Sequence, residues 1–579
     1  ATPTRHSWDE LEAYRTLPDD DELHIDGEWP TIPEMVEITV SRFPDRPCFT
    51  VFDPDRRVMS YGEVSKRCRQ IAMHFRDAGI KTGDRIAVTG KNSPEWALAY
   101  LSVLYAGAVV VPIDYQLPVS QAARLIAFAE CTYVFTDHEK LEELSKLLGD
   151  SVERIYSLET GYPNDISAIK SRKKYRKPDI EENSLAAILF TSGTTGNEKG
   201  VMLSHRNFVT DVYQACDPEF ITATEEDVFY ALLPLHHSYC MTAVFLEGLK
   251  HGSQLVFAKS FVVKKIIEDM QKSGVTVFMG IPLLFNKFLA GVLRKVREKG
   301  ALTYAVVRVL MAINGVLKRR FGLNPGRRKW FKPILEGLGF ANINFCISGG
   351  GPLPARTFHR FQQLGLDFVQ GYGLTETAPI VTLNPIAHFK LTSVGKLLPF
   401  IDIRIDDPDR TGTGEILVKG PNVTRGYYRD PEHTAELFSE DGYLKTGDLG
   451  YLDDENYLYL RGRKKNMIVT EGGKNVYPEE IEDEFQLYPS IEQIMVAGYM
   501  MDASKKSEGI EALIYPSRDF FGDSFTDAEH VRLELEKAVR EVNQQFPAYK
   551  KITRITILDE PMDMTSTKKI KRNQVQRGR

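Results

Sequence analysis

A loop of glycine and hydroxyl residues has the composition of a phosphate-binding site. It covers residues 191–200, Thr-Ser-Gly-Thr-Thr-Gly-Asn-Glu-Lys-Gly, directly behind the apolar run 185–190. Backbone amides are exposed in such a loop, and together with the hydroxyls and one ammonium they can surround phosphate oxygens. The common P-loop is excluded because Lys199 is followed by Gly200 rather than by Ser or Thr. The alternative interpretation is a plain surface turn.

Three further segments carry an acid or an imidazole. Glu376 follows Gly371-Tyr372-Gly373, where glycines would admit a ligand to the backbone, the ring could stack on a base, and the carboxylate could hold a hard cation. We expect this segment to be a tight turn after a strand over 366–369. Asp448 follows a glycine, a position typical of turn and capping residues. His237 lies in an apolar stretch, where a histidine packed in the core is the alternative.

The C-terminal segment 561–572 is strongly basic and contains Lys568 and Lys569 side by side. The composition of this segment alone indicates either a run of charged residues exposed to solvent or a patch that binds nucleic acid. The whole chain, however, has 579 residues, a net charge of −6 and a pI near 6.1, which argues against bulk binding of nucleic acid. We therefore look for a more specific role for this segment.

The composition is that of an ordinary globular protein, with 42% hydrophobic and 26% charged residues. The six cysteines are scattered without any C-x-x-C, so we expect no structural zinc, no disulfide framework and a reducing compartment. Residues 1–30 show no basic head followed by an apolar stretch, so a secretory signal is not expected. These observations together predict a cytoplasmic protein.

The elements that must position these residues follow an α/β pattern. Apolar runs of strand length, separated by helical stretches, occur at 85–89, 109–112, 133–135, 185–190, 254–257 and 275–279. Such alternation predicts parallel sheets covered by helices on both faces. The uncharged stretch 96–113 is long enough to be weighed as a membrane span, but Gly107 and the β-branched second half favour a buried helix, a turn and a buried strand. Ser204 is expected to cap a helix.

The pattern of hydrophobic and polar residues changes after about residue 400. Short alternating strands such as 414–420 and 457–460 predict a small antiparallel or barrel-like subdomain. A charged, glycine-containing linker over 461–466 follows, and the remaining residues, up to 579, are enough for one small domain. We predict a large N-terminal domain over 1–464, a hinge at Lys465 and a small mobile α+β domain over 465–579.

Taken together and in this order, the motifs resemble those of the adenylate-forming superfamily of acyl-CoA synthetases, luciferases and adenylation domains. The match covers nearly the whole chain and includes the Y-G-x-T-E pattern at 372–376 letter for letter. The resemblance implies ATP, Mg²⁺ and coenzyme A as co-substrates and cofactor. It assigns the nucleotide to a set of residues from both predicted domains: Thr191, Ser192, Gly193, Thr194, Thr195, Gly196, Lys199, Gly349, Gly350, Gly351, Gln370, Gly371, Tyr372, Thr375, Asp448, Arg463 and Lys569.

The same resemblance gives roles to single residues. Thr191 and Glu376 would hold Mg²⁺, and Asp448 would accept both ribose hydroxyls. His237, a better match than His236, would border the acyl pocket. Lys569 would bridge the carboxylate and the α-phosphate, which makes Lys569, His237, Glu376 and Thr191 the expected catalytic residues.

The C-terminal motif departs from the family pattern. Asp563 stands where the family has proline, and Lys568 stands where it has glycine, so Lys568 is the alternative for the adenylation lysine. After pyrophosphate leaves, the hinge at Lys465 would turn the small domain so that a loop with Gly472 and Gly473 borders a channel for coenzyme A.

A basic insert over about 287–332 indicates which acid is activated. It holds thirteen lysines and arginines and one acid, Glu298, with apolar residues at helical spacing. A basic amphipathic helix is typical of a surface for anionic lipid, and the alternative is helices packed on the main body with solvated charges. The insert resembles that of long-chain fatty acyl-CoA synthetases, so we expect a fatty acid substrate and peripheral membrane contact.

Three alternatives to a fatty acid–CoA ligase remain open. The acceptor could be acyl carrier protein, because a basic insert suits an acidic carrier equally well. The enzyme could stop at acyl-AMP. A catalytically silent lipid or nucleotide sensor is the third, which the matches at Thr191, Glu376, Asp448 and Lys569 argue against.

Overall fold

The computed structural model describes residues 29–191, 198–470, 474–502, 507–565, 569–572 and 575, and these form an α/β protein. The strands are β1 (Pro47–Val51), β2 (Arg57–Ser60), β3 (Arg85–Thr89), β4 (Val109–Ile113), β5 (Cys131–Thr136), β6 (Arg154–Ser157), β7 (Leu185–Thr191), β8 (Lys199–Ser204), β9 (Val228–Ala231), β10 (Gln254–Phe257), β11 (Val277–Gly280), β12 (Phe345–Ser348), β13 (Asp367–Gly373), β14 (Ile380–Leu383), β15 (Gly395–Leu397), β16 (Asp402–Asp406), β17 (Gly414–Lys419), β18 (Leu444–Leu452), β19 (Tyr457–Arg463), β20 (Ile468–Val469), β21 (Asn475–Val476), β22 (Ile491–Asp502), β23 (Ser507–Pro516) and β24 (Arg554–Ile557).

The helices lie mostly between the strands of the first 400 residues. They are α1 (Ile32–Arg42), α2 (Tyr61–Asp77), α3 (Pro94–Tyr105), α4 (Val119–Phe128), α5 (His138–Leu148), α6 (His205–Ala215), α7 (Ser238–Cys240), α8 (Glu247–His251), α9 (Val263–Ser273), α10 (Pro282–Glu298), α11 (Ala301–Phe321), α12 (Lys332–Gly337), α13 (Ala355–Gln363), α14 (Pro431–Leu437), α15 (Pro478–Phe485), α16 (Arg518–Phe521) and α17 (Ala528–Asn543).

Two large sheets carry the predicted parallel strands. One has the order β6-β5-β3-β4-β7-β8 and is parallel except for the final pair β7–β8. The other has thirteen strands in the order β16-β17-β18-β19-β15-β14-β13-β12-β11-β9-β10-β1-β2. It is parallel from β10 to β13 and antiparallel from β13 to β16. The antiparallel strands predicted after about residue 400 therefore continue this sheet.

Two local predictions are confirmed by hydrogen bonds and burial. Ser204 accepts from the backbone of Asn207, whose side chain accepts in return from Ser204, so a capping box begins α6. The stretch 96–113 consists of α3 from Trp96 onward, a turn at Gly107 with a φ of 80°, and β4. Its residues are buried inside the protein, as expected for a core helix and strand rather than a membrane span.

The predicted tight turn at Gly371-Tyr372-Gly373 is wrong, because these residues extend β13 and pair with β14. The glycines are needed for close strand contact. A Cβ atom on Gly373 would lie 1.7 Å from the carbonyl oxygen of Pro379, and one on Gly371 would lie 2.9 Å from that of Thr382. The segment is therefore the end of a strand rather than a turn.

The C-terminal residues have a sheet and a core of their own. Strands β22, β23 and β24 form a three-stranded sheet that packs with α15 and α17 around residues such as Val496, Ile514 and Leu535. Lys465 lies in a short 3-10 turn, Lys464–Asn466, between β19 and β20. Its role as a hinge stays a prediction.

Candidate active site

Asp448 lies at the centre of a buried polar group formed by two neighbouring strands. Residues Asp448 and Arg463 face each other across β18 and β19, and Arg463 Nε is 2.8 Å from Asp448 Oδ1. The Tyr372 hydroxyl donates to Asp448 Oδ2 at 2.7 Å, and the Asp448 amide donates to the Thr446 hydroxyl at 3.0 Å. Both carboxylate oxygens are therefore held in place before any ligand arrives.

Burial raises the pKa of Asp448 above the ordinary carboxyl value. The Arg463 guanidinium, the Tyr372 hydrogen bond and the Lys569 ammonium each oppose this rise. Burial and the nearby carboxylate raise the pKa of Tyr372, so its hydroxyl stays protonated and donates. The three neighbours thus favour the ionised carboxylate, which accepts hydrogen bonds, while burial, the largest influence, favours the protonated acid.

A second group joins the phosphate-loop lysine to Glu376. The Tyr427 hydroxyl donates to Glu376 Oε1 at 2.9 Å, and the Lys199 ammonium lies 4.9 Å from the centroid of the Tyr427 ring. The backbone of Glu376 is fixed as well, because its carbonyl accepts from the amide of Thr424 at 2.8 Å. Thr191, paired with Lys199 across β7 and β8, brings its hydroxyl 3.5 Å from the Lys199 carbonyl.

His237 is the residue directly before the short helix α7 and lies close to the same segment. The hydroxyl of Ser238, the next residue, is 3.3 Å from the hydroxyl of Thr375, the neighbour of Glu376. Burial, together with the charges of His236 and Lys569, lowers the pKa of His237 to about 3, and Asp114 opposes this shift. The imidazole is therefore neutral at physiological pH and can act as a hydrogen-bonding group but not as a cation.

The glycine triplet 349–351 packs against the other side of this helix. The Gly349 amide donates to the Gly280 carbonyl at 3.1 Å, and a Cβ atom on Gly349 would lie 2.8 Å from the Tyr239 ring. Gly350 has a φ of 79°, a conformation that favours glycine. The Tyr239 hydroxyl donates to the Ile347 carbonyl at 3.1 Å, so the loop and the ring support each other.

Lys569 reaches this region from the C-terminal domain. Its backbone is fixed by a turn, because the Thr565 amide donates to the Lys569 carbonyl at 2.8 Å and the Lys569 amide donates to the Thr565 hydroxyl at 3.1 Å. The residue is exposed as a whole, and neighbouring protein groups partly desolvate its ammonium. This desolvation lowers the pKa of Lys569, the Arg463 guanidinium lowers it further, and Asp448 opposes both. The charge of the Lys569 ammonium acts on both Asp448 and His237, so the lysine lies near both groups.

Contacts of α15 hold the C-terminal domain in this position. Gln486, just after α15, donates to the Pro352 carbonyl at 3.2 Å and accepts from the Asn286 amide at 3.0 Å. Within the C-terminal residues, Glu479 in the first turn of α15 accepts from the Asn466 amide at 2.5 Å, which fixes the helix to the segment after Lys465. These contacts join the C-terminal domain to the part of the chain that carries the glycine triplet 349–351.

Comparison with known families identifies the chain. A family model described as AMP-binding enzyme matches residues 36–428, and one described as AMP-binding enzyme C-terminal domain matches residues 465–578. The chain belongs to the AMP-binding enzyme family. The resemblance drawn from the sequence motifs is confirmed.

Relatives of this AMP-binding enzyme carry ligase names. The long-chain-fatty-acid–CoA ligase heimdall of Drosophila melanogaster is 29% identical over 510 residues, which are 81% of this chain and 74% of the relative. The long-chain-fatty-acid–CoA ligase FadD15 of Mycobacterium bovis is 28% identical over 556 residues, 89% of each chain. The solved structure of ATP-bound MatB from Rhodopseudomonas palustris has a TM-score of 0.74 and 26% identity, over 95% of this chain and 99% of that one. The predicted α/β fold with a separate C-terminal domain is confirmed.

Some of the expected site residues lie outside the described part of this AMP-binding enzyme. They are Ser192, Gly193, Thr194, Thr195 and Gly196 of the phosphate loop, Gly472 and Gly473 of the expected channel, and Lys568. Gln370 is described, and its side-chain amide is buried and donates to the Ser393 carbonyl at 2.8 Å. It therefore fixes the strand end that carries Tyr372.

Sequence reasoning missed Tyr427 and Tyr239. Tyr427 hydrogen-bonds Glu376 from 51 residues away, and no motif surrounds it. Tyr239 occupies the space that Gly349 leaves open. An available signal for Tyr239 was its place two residues after His237.

Proposed function

We propose that this AMP-binding enzyme activates a fatty acid with ATP to acyl-AMP and then transfers the acyl group to coenzyme A, as a long-chain fatty acid–CoA ligase. The observation that supports the proposal is that Lys569 of the C-terminal domain lies near both His237 and Asp448, whose carboxylate is held by Tyr372 and Arg463. A cation there can neutralise both the substrate carboxylate and the α-phosphate. The names of the heimdall and FadD15 relatives support a fatty acid and coenzyme A as substrates.

The chemistry explains why these groups belong together. A carboxylate does not react with a thiol because its leaving group would be oxide, and transfer of AMP gives it a good leaving group. The first step brings one anion onto another, so positive groups must be in place beforehand. Lys199 and Lys569 would supply positive charge at the phosphates, and Asp448, held by Tyr372 and Arg463, would fix the ribose.

Thr191 and Glu376 have the donor set for Mg²⁺, a hydroxyl and a carboxylate, both of which are hard oxygen ligands. Among the described residues, the Tyr427 hydroxyl donates a hydrogen bond to Oε1 of Glu376. Mg²⁺ bound there would neutralise phosphate charge as pyrophosphate leaves. The residues of this chain orient that carboxylate and hold the nearby Lys199.

The experiment for this proposal is a panel of carboxylic acids assayed for ATP-dependent pyrophosphate release. Long-chain, short-chain and aromatic acids are each tested without acceptor, with coenzyme A and with acyl carrier protein. We expect release with long-chain acids and thioester formation with coenzyme A. Thioester formed with the carrier alone would favour the carrier as acceptor, and acyl-AMP that accumulates with both would indicate a fatty acyl-AMP ligase. Pyrophosphate release that no fatty acid stimulates would refute the proposal, and binding of ATP without turnover would indicate a sensor.

We also propose a cytoplasmic enzyme that contacts anionic membrane through its basic insert, 287–332. The charge of the insert supports this, because it is cationic within a chain of net charge −6. Such contact should depend on anionic lipid and weaken with salt. Equal binding to neutral vesicles at all salt concentrations would contradict it.

A further inference from the structure

Helix α11 turns an apolar face to solvent. This face, the outer stripe, consists of Leu302, Val306, Val309, Ile313 and Val316, whose spacing of four and three residues places them in one row. The exposed fraction of these side chains runs from 44% for Ile313 to 79% for Leu302. The row is about 21 Å long. Exposed apolar surface this continuous marks a place where a soluble protein meets an apolar partner.

The outer stripe is bordered by positive charge at both ends. Arg297 and Lys299 are exposed just before α11, and Arg319 and Arg320 are exposed in its last turn. Between these ends the helix carries one further charge before Lys318, Arg308, which is half-buried and donates to the Tyr304 hydroxyl at 3.1 Å. The exposed face is thus apolar in the middle and cationic at its limits, which is the pattern of a helix that lies in a membrane interface.

The opposite face fixes α11 on the protein. Asn314 is fully buried, and its amide donates to the Gln363 carbonyl of α13 at 3.0 Å. Lys318 forms an ion pair with Asp367 at 2.7 Å. By length and composition α11 could cross a membrane, the one helix among the described residues of which this is true. Crossing would break these polar contacts, so the outer face can meet lipid while the inner face stays attached.

We propose that α11 docks on an anionic bilayer, lying in the plane of the membrane with the outer stripe among the acyl chains and the flanking arginines and lysines on lipid phosphates. Charge complementarity selects this occupant over a second copy of the chain. A second copy would bring the same cations against its partner, whereas anionic lipid neutralises them. Insertion of the stripe adds a contribution that salt does not screen, beyond the electrostatic contact of the insert as a whole.

Helix α11 is connected to the candidate active site through α10. Helix α10 leads to α11 and begins at Pro282, whose ring lies 3.8 Å from where a Cβ atom on Gly351 would stand. Ile281, the residue before it, packs on Gly350 in the same way. On the basis of the proposed function, α10 and α11 would place the acyl side of the site next to the membrane that holds its fatty acid. The docking itself requires no turnover.

The test is vesicle flotation with stripe and charge variants of the full chain. The pair Val309→Gln and Val316→Gln removes apolar surface, adds no charge and keeps good helix formers. We expect it to weaken binding to vesicles of phosphatidylserine and phosphatidylcholine about tenfold or more, and to abolish the binding that persists at high salt. The pair Arg319→Gln and Arg320→Gln should weaken binding at low salt. Leu533→Gln, an exposed leucine of α17, is the matched control and should bind as wild type.

Folding is checked by melting temperature, and Val306→Gln with Ile313→Gln repeats the stripe test at independent positions. Flotation of both stripe variants at wild-type levels would overturn the proposal. A wild-type dimer that the stripe variants dissociate would overturn it as well, since the occupant would then be a second copy. Activity with long-chain fatty acid supplied in solution without vesicles should be unchanged in every variant. If wild type floats as expected but activates no acid, the proposed function fails and the docking stands.

Discussion

Replacing Tyr372 by phenylalanine should shift the pH dependence of ATP use. The Tyr372 hydroxyl donates to Asp448 Oδ2 at 2.7 Å and lowers the pKa of this buried carboxyl, which burial otherwise raises. Tyr372→Phe removes the donor and leaves the ring in place. In our account the ribose hydroxyls are bound by ionised Asp448, so ATP binding is lost as pH falls through the pKa of Asp448.

The size of the shift follows from the hydrogen bond. A hydrogen bond to a charged group contributes about 1.5–3 kcal/mol. At 1.36 kcal/mol per pH unit, this corresponds to about 1–2 units. Because the lost bond favours the ionised form, its removal raises the pKa of Asp448, and the acidic limb of the profile moves to higher pH.

The assay is kcat/KM for ATP, measured by pyrophosphate release across the acidic range. Tyr459→Phe is the matched control, because the Tyr459 hydroxyl donates to another aspartate, Asp453, at 3.1 Å. This control should retain the wild-type profile. An acidic limb at the same pH in wild type and Tyr372→Phe would refute the assignment of Asp448 to the ribose.

Three further outcomes are expected. Glu376→Gln keeps an acceptor for Tyr427 but loses the charge, so the Mg²⁺ concentration for half-maximal rate should rise about tenfold, and an unchanged requirement would contradict metal binding there. Gly373→Ala should lower the free energy of unfolding by about 3 kcal/mol in denaturant titration, because its Cβ would meet a backbone carbonyl at 1.7 Å. Its control, Gly337→Ala, where no neighbouring atom lies within 4 Å of the added Cβ, should leave stability unchanged or raise it by up to about 1 kcal/mol. His237→Asn should lower the rate without changing the shape of the pH profile between pH 5 and 8, because the pKa of His237 is about 3 and the wild-type imidazole is already neutral there.

The strands were predicted well from the sequence because the apolar runs that form them are visible in a few neighbouring residues. Strands β3 and β10 match the apolar runs 85–89 and 254–257 residue for residue, and β11 begins two residues later than expected. The segment 371–373 was misread for the opposite reason. Its glycines are required by a carbonyl of the neighbouring strand region, which no local pattern displays.

The candidate site was predictable where motifs carry it and not where packing completes it. Glu376 was found from its motif, but Tyr427 approaches it from a part of the chain without a signal. In the insert, the spacing of the apolar residues predicted helices, but it did not predict which helix faces are buried and which are exposed. Val292 of α10 is buried and Val309 of α11 is exposed, although both satisfy the same periodicity.

The central claim is that Lys569 serves the first half-reaction and not the second. The decisive measurement compares the two half-reactions in Lys569→Ala: acyl-AMP formation from fatty acid and ATP, and thioester formation from supplied acyl-AMP and coenzyme A. We expect acyl-AMP formation to fall about 10²–10³-fold, as for loss of one charge-stabilising donor, with thioester formation retained. Equal loss of both half-reactions would contradict the account, and the same selective loss in Lys568→Ala instead would assign the role to the neighbouring lysine.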